Sequence, residues 1–178
     1  MELEFRKDFE DVKQRWADFW EGRNKRPMFY CMRLKPGKEG IRFPRAYESA
    51  FGDLDRIIDR VLLAAESHDF MADTIPSFQI AFAPDHFSAL LGAEITSNPD
   101  SGGTTWVEPF VKDWDDAEIR FKPDGKWWQR TLECIEKFGK RCDGKLLLYG
   151  PQLQGNLDCL ACIRGVQDLL MDLVVQPE

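Results

Sequence analysis

Three short runs of strand composition, MFYCMRL after Pro27, TIPSFQIAF from Thr74 and KLLLYG from Lys145, are separated by stretches in which apolar residues recur at helical spacing. Strands divided in this way by helices are expected to pair in parallel through right-handed crossovers, and a parallel sheet must be covered on both faces. Three strands are few for such a sheet. The sequence closes on VVQPE, and Pro followed by Glu is how a helix begins rather than how a domain finishes. The order helix, strand, helix, strand, helix, loop, helix, strand, helix, helix therefore predicts the front portion of a longer α/β design.

The helices follow from spacing and punctuation. Phe5, Phe9, Val12, Trp16, Phe19 and Trp20 fall at steps of three and four on one face of an N-terminal helix that Gly22 ends, and core packing is expected of its aromatics. Asp53 caps a second helix with a stripe of Leu54, Ile57, Ile58, Val61, Leu62 and Ala65. Pro84 and Asp85 open a short helix, DHFSALLG, closed by Gly92. From Asp124 a further helix carries Trp128, Thr131, Leu132, Ile135 and Phe138 on one side, ending near Gly144. Leu157, Leu160, Ala161 and Ile163 are helical too, and Arg164-Gly165 interrupts the pattern before VQDLLMDLVV. Residues 97–125 read as a long irregular stretch in which Trp106, Phe110 and Trp114 serve either as packing or as a lid.

With 178 residues, 43% hydrophobic and 12% aromatic, the chain has enough apolar surface for an ordered core. Its net charge of -7 opposes long-range attraction to nucleic acid or to an anionic membrane. The N-terminus, MELEFRKDFEDVKQRW, alternates charge and has no apolar leader core, and no stretch of about 18 apolar residues occurs. A cytoplasmic protein without a membrane partner is expected. Five cysteines, an odd number at uneven spacing, suit reduced thiols. Cys159 and Cys162 supply two ligands where a closed zinc site needs four, so they read as small buried hydrophobes on one helix face and no metal site is assigned.

Candidate chemistry gathers after the strands. The segment LLLYGPQLQGNLDCL delivers Tyr149, Gln152, Gln154 and Asn156 into one loop, the place where a β/α enzyme holds its substrate, although Asn156 equally suits a helix N-cap. Asp85 and His86 follow the second strand and are the candidate catalytic pair. The helix start should hold the Asp85 carboxylate in its charged form, and His86 is expected as a proton donor near neutral pH, although a lone histidine equally suits a surface or packed position. Arg33, Lys35 and Lys38 form a compact basic group beyond the first strand, able to capture an anionic small molecule, with Arg33 gripping a carboxylate in two-pronged fashion.

Taken together, FEDVKQRWADFW, PDHFSALLGAEI, TTWVEPFVKDWDD and GNLDCLACIRG resemble the uroporphyrinogen decarboxylase-like superfamily along nearly the whole chain. That resemblance implies an α/β fold, a partial (β/α)8 TIM barrel comprising its amino-terminal half with an extra N-terminal helix, as a single incomplete domain over 1–178. Arg33 matches the first arginine of the family's Met-Arg-Gln-Ala-Gly-Arg-Tyr motif, where this chain continues Leu34-Lys35-Pro36-Gly37-Lys38. The family's catalytic aspartate follows Phe-Ser; here Phe82-Ala83-Pro84-Asp85 places the acid a residue or two later. The implied activity of the full-length protein is that of a lyase, decarboxylating a carboxylated, tetrapyrrole-like substrate without a cofactor. A second branch of the superfamily implies a zinc-dependent methyltransferase acting with corrinoid, whose metal ligands would lie outside this sequence. A third expectation is a non-catalytic half-barrel that associates with itself or with a complementary chain to cover its open sheet.

Overall fold

The computed structural model describes residues 2–45, 47–97 and 104–175, so Pro177 and Glu178, read above as a helix start, lie outside the described residues. In chain order the elements are α1 (Phe9–Trp20), β1 (Tyr30–Leu34), α2 (Glu48–Phe51), α3 (Leu54–Ser67), β2 (His68–Ala72), β3 (Ser77–Gln79), α4 (His86–Leu90), β4 (Glu94–Ser97), β5 (Thr105–Glu108), α5 (Lys126–Cys142), β6 (Leu147–Tyr149), α6 (Asn156–Arg164) and α7 (Val166–Val175). The architecture is mixed α/β. Among the described residues the strands form three two-stranded sheets, and no barrel closes. The chain divides into two compact units, one made of Met1–Pro44, Asp53–Gln79 and Glu136–Tyr149, the other of Arg45–Gly52, Ile80–Ile135 and Gly150–Glu178.

In the first unit α3 forms where the sequence places it. The Asp53 carboxylate accepts the Arg56 N–H at 3.1 Å, and Leu54, Ile57, Ile58, Val61, Ala64 and Ala65 make one buried stripe. Each large member of such a stripe contributes about 1.5–3 kcal/mol when fully covered. The helix then passes into β2 with no linker, because His68 adopts an extended conformation directly after Ser67. This junction overturns the expected parallel pairing of MFYCMRL. β1 instead pairs antiparallel with β2, from Tyr30 opposite Ala72 to Leu34 opposite His68. A crossover restores the direction of its first strand only by a turn after the helix, and α3 has none.

The end of β2 is held by side chains. Ala72 sits at φ 52, a left-handed conformation that a Cβ disfavours, and its carbonyl accepts from Arg6 at 2.6 Å and Arg15 at 3.0 Å. The buried Asp73 carboxylate accepts from Arg15, from both terminal nitrogens of Arg26 and from the Phe29 N–H. Thr74 Oγ1 takes the Cys31 N–H at 2.6 Å and donates to the Cys31 carbonyl at 2.9 Å. On α1 only Phe9 and Val12 are buried; Trp16 donates its indole N–H to the Asp73 carbonyl at 2.8 Å, and Trp20 is 77% exposed. Adjacent Phe19 and Trp20 point about 100° apart around a helix, so the aromatic series could not all face inward.

β3 and β6 pair in parallel, Ser77 with Leu147 through Gln79 with Tyr149. Phe138 of α5 stacks on Phe78 with ring centroids 5.0 Å apart, and both are buried. Ion pairs from Lys137 to Asp55 and from Arg141 to Asp59 join α5 to α3.

In the second unit β4 and β5 are antiparallel, Glu94 opposite Glu108 through Ser97 opposite Thr105. β5 falls in the stretch expected to be irregular, which β4 enters only at Ser97 and whose residues 98–103 lie outside the described ones. The rest of that stretch is anchored: Phe110 and Val111 N–H both donate to the Ile163 carbonyl at 2.9 Å, and the Trp114 indole donates to Asp172 at 2.7 Å. Arg164 closes on the same Asp172 carboxylate, joining α6 to α7 across Gly165 at φ 97. The expected strand TIPSFQIAF is extended only at Ser77–Gln79; Ile80, Ala81, Phe82 and Ala83 are buried without joining a sheet.

Candidate functional site

The segment from Phe82 to Ser88 in the second unit carries the most constrained geometry. Ala83 has φ 71 and precedes a proline, a combination that sterics oppose on both counts. Its neighbour Phe82 is held at both backbone groups: the Thr105 hydroxyl donates to the Phe82 carbonyl at 2.7 Å, and the Phe82 N–H donates to His86 Nδ1 at 3.1 Å. An Nδ1 that accepts leaves the ring proton on Nε2, which donates to Thr131 Oγ1 at 2.8 Å; that hydroxyl donates in turn to the Trp127 carbonyl at 2.8 Å. The imidazole also lies flat on the Phe82 ring, centroids 4.2 Å apart. His86 is 0% exposed, and burial pushes it down to about 4, so at neutral pH it is an uncharged group that shapes the turn.

Asp85 departs from its expected electrostatics. α4 is only five residues long, the Asp85 side chain makes no capping bond, and burial raises its carboxyl above the ordinary 3.8. Opposing that rise, the Cys162 thiol donates to Asp85 Oδ1 at 3.2 Å. Ser88, one turn along, donates to Cys159 Sγ at 3.6 Å. A carboxyl, a hydroxyl and two thiols thus meet between α4 and α6.

The other candidate residues are placed separately. In the first unit Arg33 pairs with Asp69 at 2.9 Å, directly across the β1–β2 ladder; Lys35 donates to the Glu66 carbonyl at 2.7 Å and Lys38 reaches the Glu66 carboxylate at 3.0 Å. Tyr149 stands exposed at the end of β6. In the second unit Gln152 and Gln154 are half-buried, and Asn156 is exposed. Gly155 occupies the cap position of α6, while Asn156 is the first helical residue at φ 56, a left-handed conformation asparagine tolerates better than most residues.

Sequence reasoning passed over Ser88, Thr131 and Cys162 as site members. The signals were a hydroxyl inside the apolar stripe of α5 and two cysteines three apart on α6; what they faced depended on long-range packing. An open cleft of about 440 Å³ in the first unit, lined by Glu4, Phe5, Asp59, Leu62, Leu63, Glu66 and Lys145, includes none of the expected site residues. Among the described residues no group of three or more His, Cys, Asp or Glu side chains is placed to hold a metal ion, and no helix is long and apolar enough to cross a membrane. No family model, curated protein or solved structure matches the chain.

Proposed function

We propose that the chain forms the amino-terminal part of a (β/α) barrel protein of the uroporphyrinogen decarboxylase-like kind, acting in its full-length form as a lyase on a multiply carboxylated, tetrapyrrole-like substrate. The observation that carries this reading is the parallel β3–β6 pair packed under Phe138, the strand pairing from which a (β/α) barrel is built. Asp85 is the reactive carboxyl, its proton affinity raised by burial, and His86 holds the turn that presents it. Within the first unit Arg33, Lys35 and Tyr149, and within the second Gln152, Gln154 and Asn156, are the polar groups offered to substrate. Capturing a carboxylate requires Arg33 to exchange Asp69 for the ligand, which is inexpensive for an exposed pair worth at most about 1 kcal/mol. Titrating the protein with uroporphyrin and following its fluorescence tests the assignment. Saturable binding is expected, weakened roughly tenfold in Arg33→Ala through loss of one charge-assisted contact; no binding, or binding indifferent to Arg33, would overturn it.

A second reading, association with another copy of the chain, is favoured by α7. Its Val166, Leu170, Met171, Leu173, Val174 and Val175 are all more than half exposed, and only Leu169 of that helix is buried. A contiguous apolar surface of this kind marks an interaction site. Sedimentation equilibrium is expected to give a mass above that of one chain, reduced to a monomer by Leu170→Asp with Val174→Asp; a monomeric parent protein would sink this reading.

A further inference from the structure

We infer that Cys159 and Cys162 form a redox-active dithiol, a site of thiol–disulfide exchange with low-molecular-weight disulfides, and that Asp85 restrains its outer sulfur. The two cysteines are three apart on α6, where helix rise and radius put their Cα atoms about 5 Å from one another. Disulfides span Cα separations of roughly 4.4–6.8 Å, so the pair is within bonding reach. Both side chains turn toward α4, Cys159 onto the Ser88 hydroxyl and Cys162 onto Asp85. Cys159 is buried and Cys162 half-buried, so an incoming disulfide meets Cys162 first.

The exchange balances in two steps. Cys162 loses its proton to solvent and its thiolate attacks RSSR, forming Cys162–S–S–R and expelling RS⁻, which takes up a proton. Cys159, deprotonated in turn, attacks Cys162 Sγ, closing the Cys159–Cys162 bond and releasing the second RSH. The chain loses two electrons and two protons, and the small disulfide gains both. Closure draws Cβ atoms that start about 5–6 Å apart into the roughly 3.5–4.5 Å of a disulfide. The turn of α6 from Cys159 to Cys162 must tighten to allow it.

Asp85 sets the rate. Burial pushes the Cys162 thiol up to about 11, and the carboxylate accepting its S–H adds to the rise. Thiolate is the nucleophile, so this contact keeps the dithiol quiet. Nucleophilicity falls less steeply than thiolate fraction rises, by a Brønsted slope of about 0.4–0.5, so each tenfold gain in thiolate yields about threefold in rate.

The experiment incubates the folded protein, without any substrate, with oxidised glutathione, and maps disulfides by mass spectrometry of peptides. The expected product is a peptide carrying Cys159 and Cys162 that has lost two hydrogens, with two glutathione thiols released per chain, and Cys162→Ser abolishes it. Glutathione attached to the exposed Cys31 alone, or a Cys159–Cys162 bond formed only after denaturation, would overturn the inference. Asp85→Asn and Asp85→Ser are each expected to speed closure about threefold or more; an unchanged or slower rate in the variant that stays folded removes Asp85 from the site. The test reads mass and rate, so its failure is separate from a failure to bind uroporphyrin.

Discussion

Asp73→Ala is expected to lower the stability of the first unit by about 3–5 kcal/mol, the range found when one partner of a buried ion pair is removed. The carboxylate is 0% exposed and accepts bonds from Arg15 at 2.8 Å, Arg26 at 2.7 Å and the Phe29 N–H at 2.9 Å. Without it, two guanidinium groups crowd a site whose remaining acceptors are carbonyls, and the N–H that opens β1 loses its partner. Arg26→Leu should cost far less, because Arg26 is partly solvated and Arg15 stays on the carboxylate. A urea titration followed by tryptophan fluorescence measures both; comparable losses in the two variants would show that charge balance at Asp73 is not what holds β1 to the end of β2. The same contacts, the Arg26 hydrogen bond first among them, hold the Asp73 carboxyl well below its ordinary 3.8. A folded-state value lower than the unfolded one contributes stability that is complete above about 3.8 and is lost as pH falls through the depressed value, so this contribution survives to strongly acid solution.

His86 predicts a loss at milder pH. Its folded-state value near 4 lies below the ordinary 6.5, so between those limits the unfolded chain binds a proton that the native chain refuses. Stability should therefore be greatest above about pH 6.5 and fall by about 3 kcal/mol as pH drops toward 4, taking 1.36 kcal/mol per unit. Asp85, raised by burial, acts in the opposite sense, since the native state takes up its proton first. His86→Leu separates the two: the variant is less stable at neutral pH, having lost the Phe82 and Thr131 contacts, but its urea midpoint should fall less between pH 7 and 5. An identical pH slope in both proteins would show that His86 is not the titrating group.

Much of the helical layout was legible because helices declare themselves locally. Asp53 capped α3 as its spacing indicated, Gly92 closed the short α4 segment at φ 119, and Gly165 separated α6 from α7. Strand pairing was less accessible. β2 is the segment HDFMA, whose mixed polarity continues a helical pattern, and its partner, whose register places residues 34 to 42 positions apart, is chosen by the Asp73 and Thr74 contacts. The β4–β5 hairpin had a signal in TTWVE, β-branched and aromatic residues after Ser-Gly-Gly, that the length of the surrounding loop obscured. Asp85 could be picked out by residue type, while Cys159 and Cys162 read as small buried hydrophobes. Their meeting could not, since it depends on how α4 packs against α6.

The seamless passage from α3 into β2 carries an evolutionary consequence. Ile57, Ile58, Val61, Ala64 and Ala65 set the rotational phase of the helix, and Phe70 sets the phase of the strand, three residues past the last helical position. Inserting or deleting one residue at Ser67-His68 would turn the helix by about 100° against the strand or exchange Phe70 with Asp69 on the inner side. Point changes at this junction are tolerable by comparison; a change of length is not, and related chains should keep the spacing from Ile58 to Phe70 even where the residues between them differ.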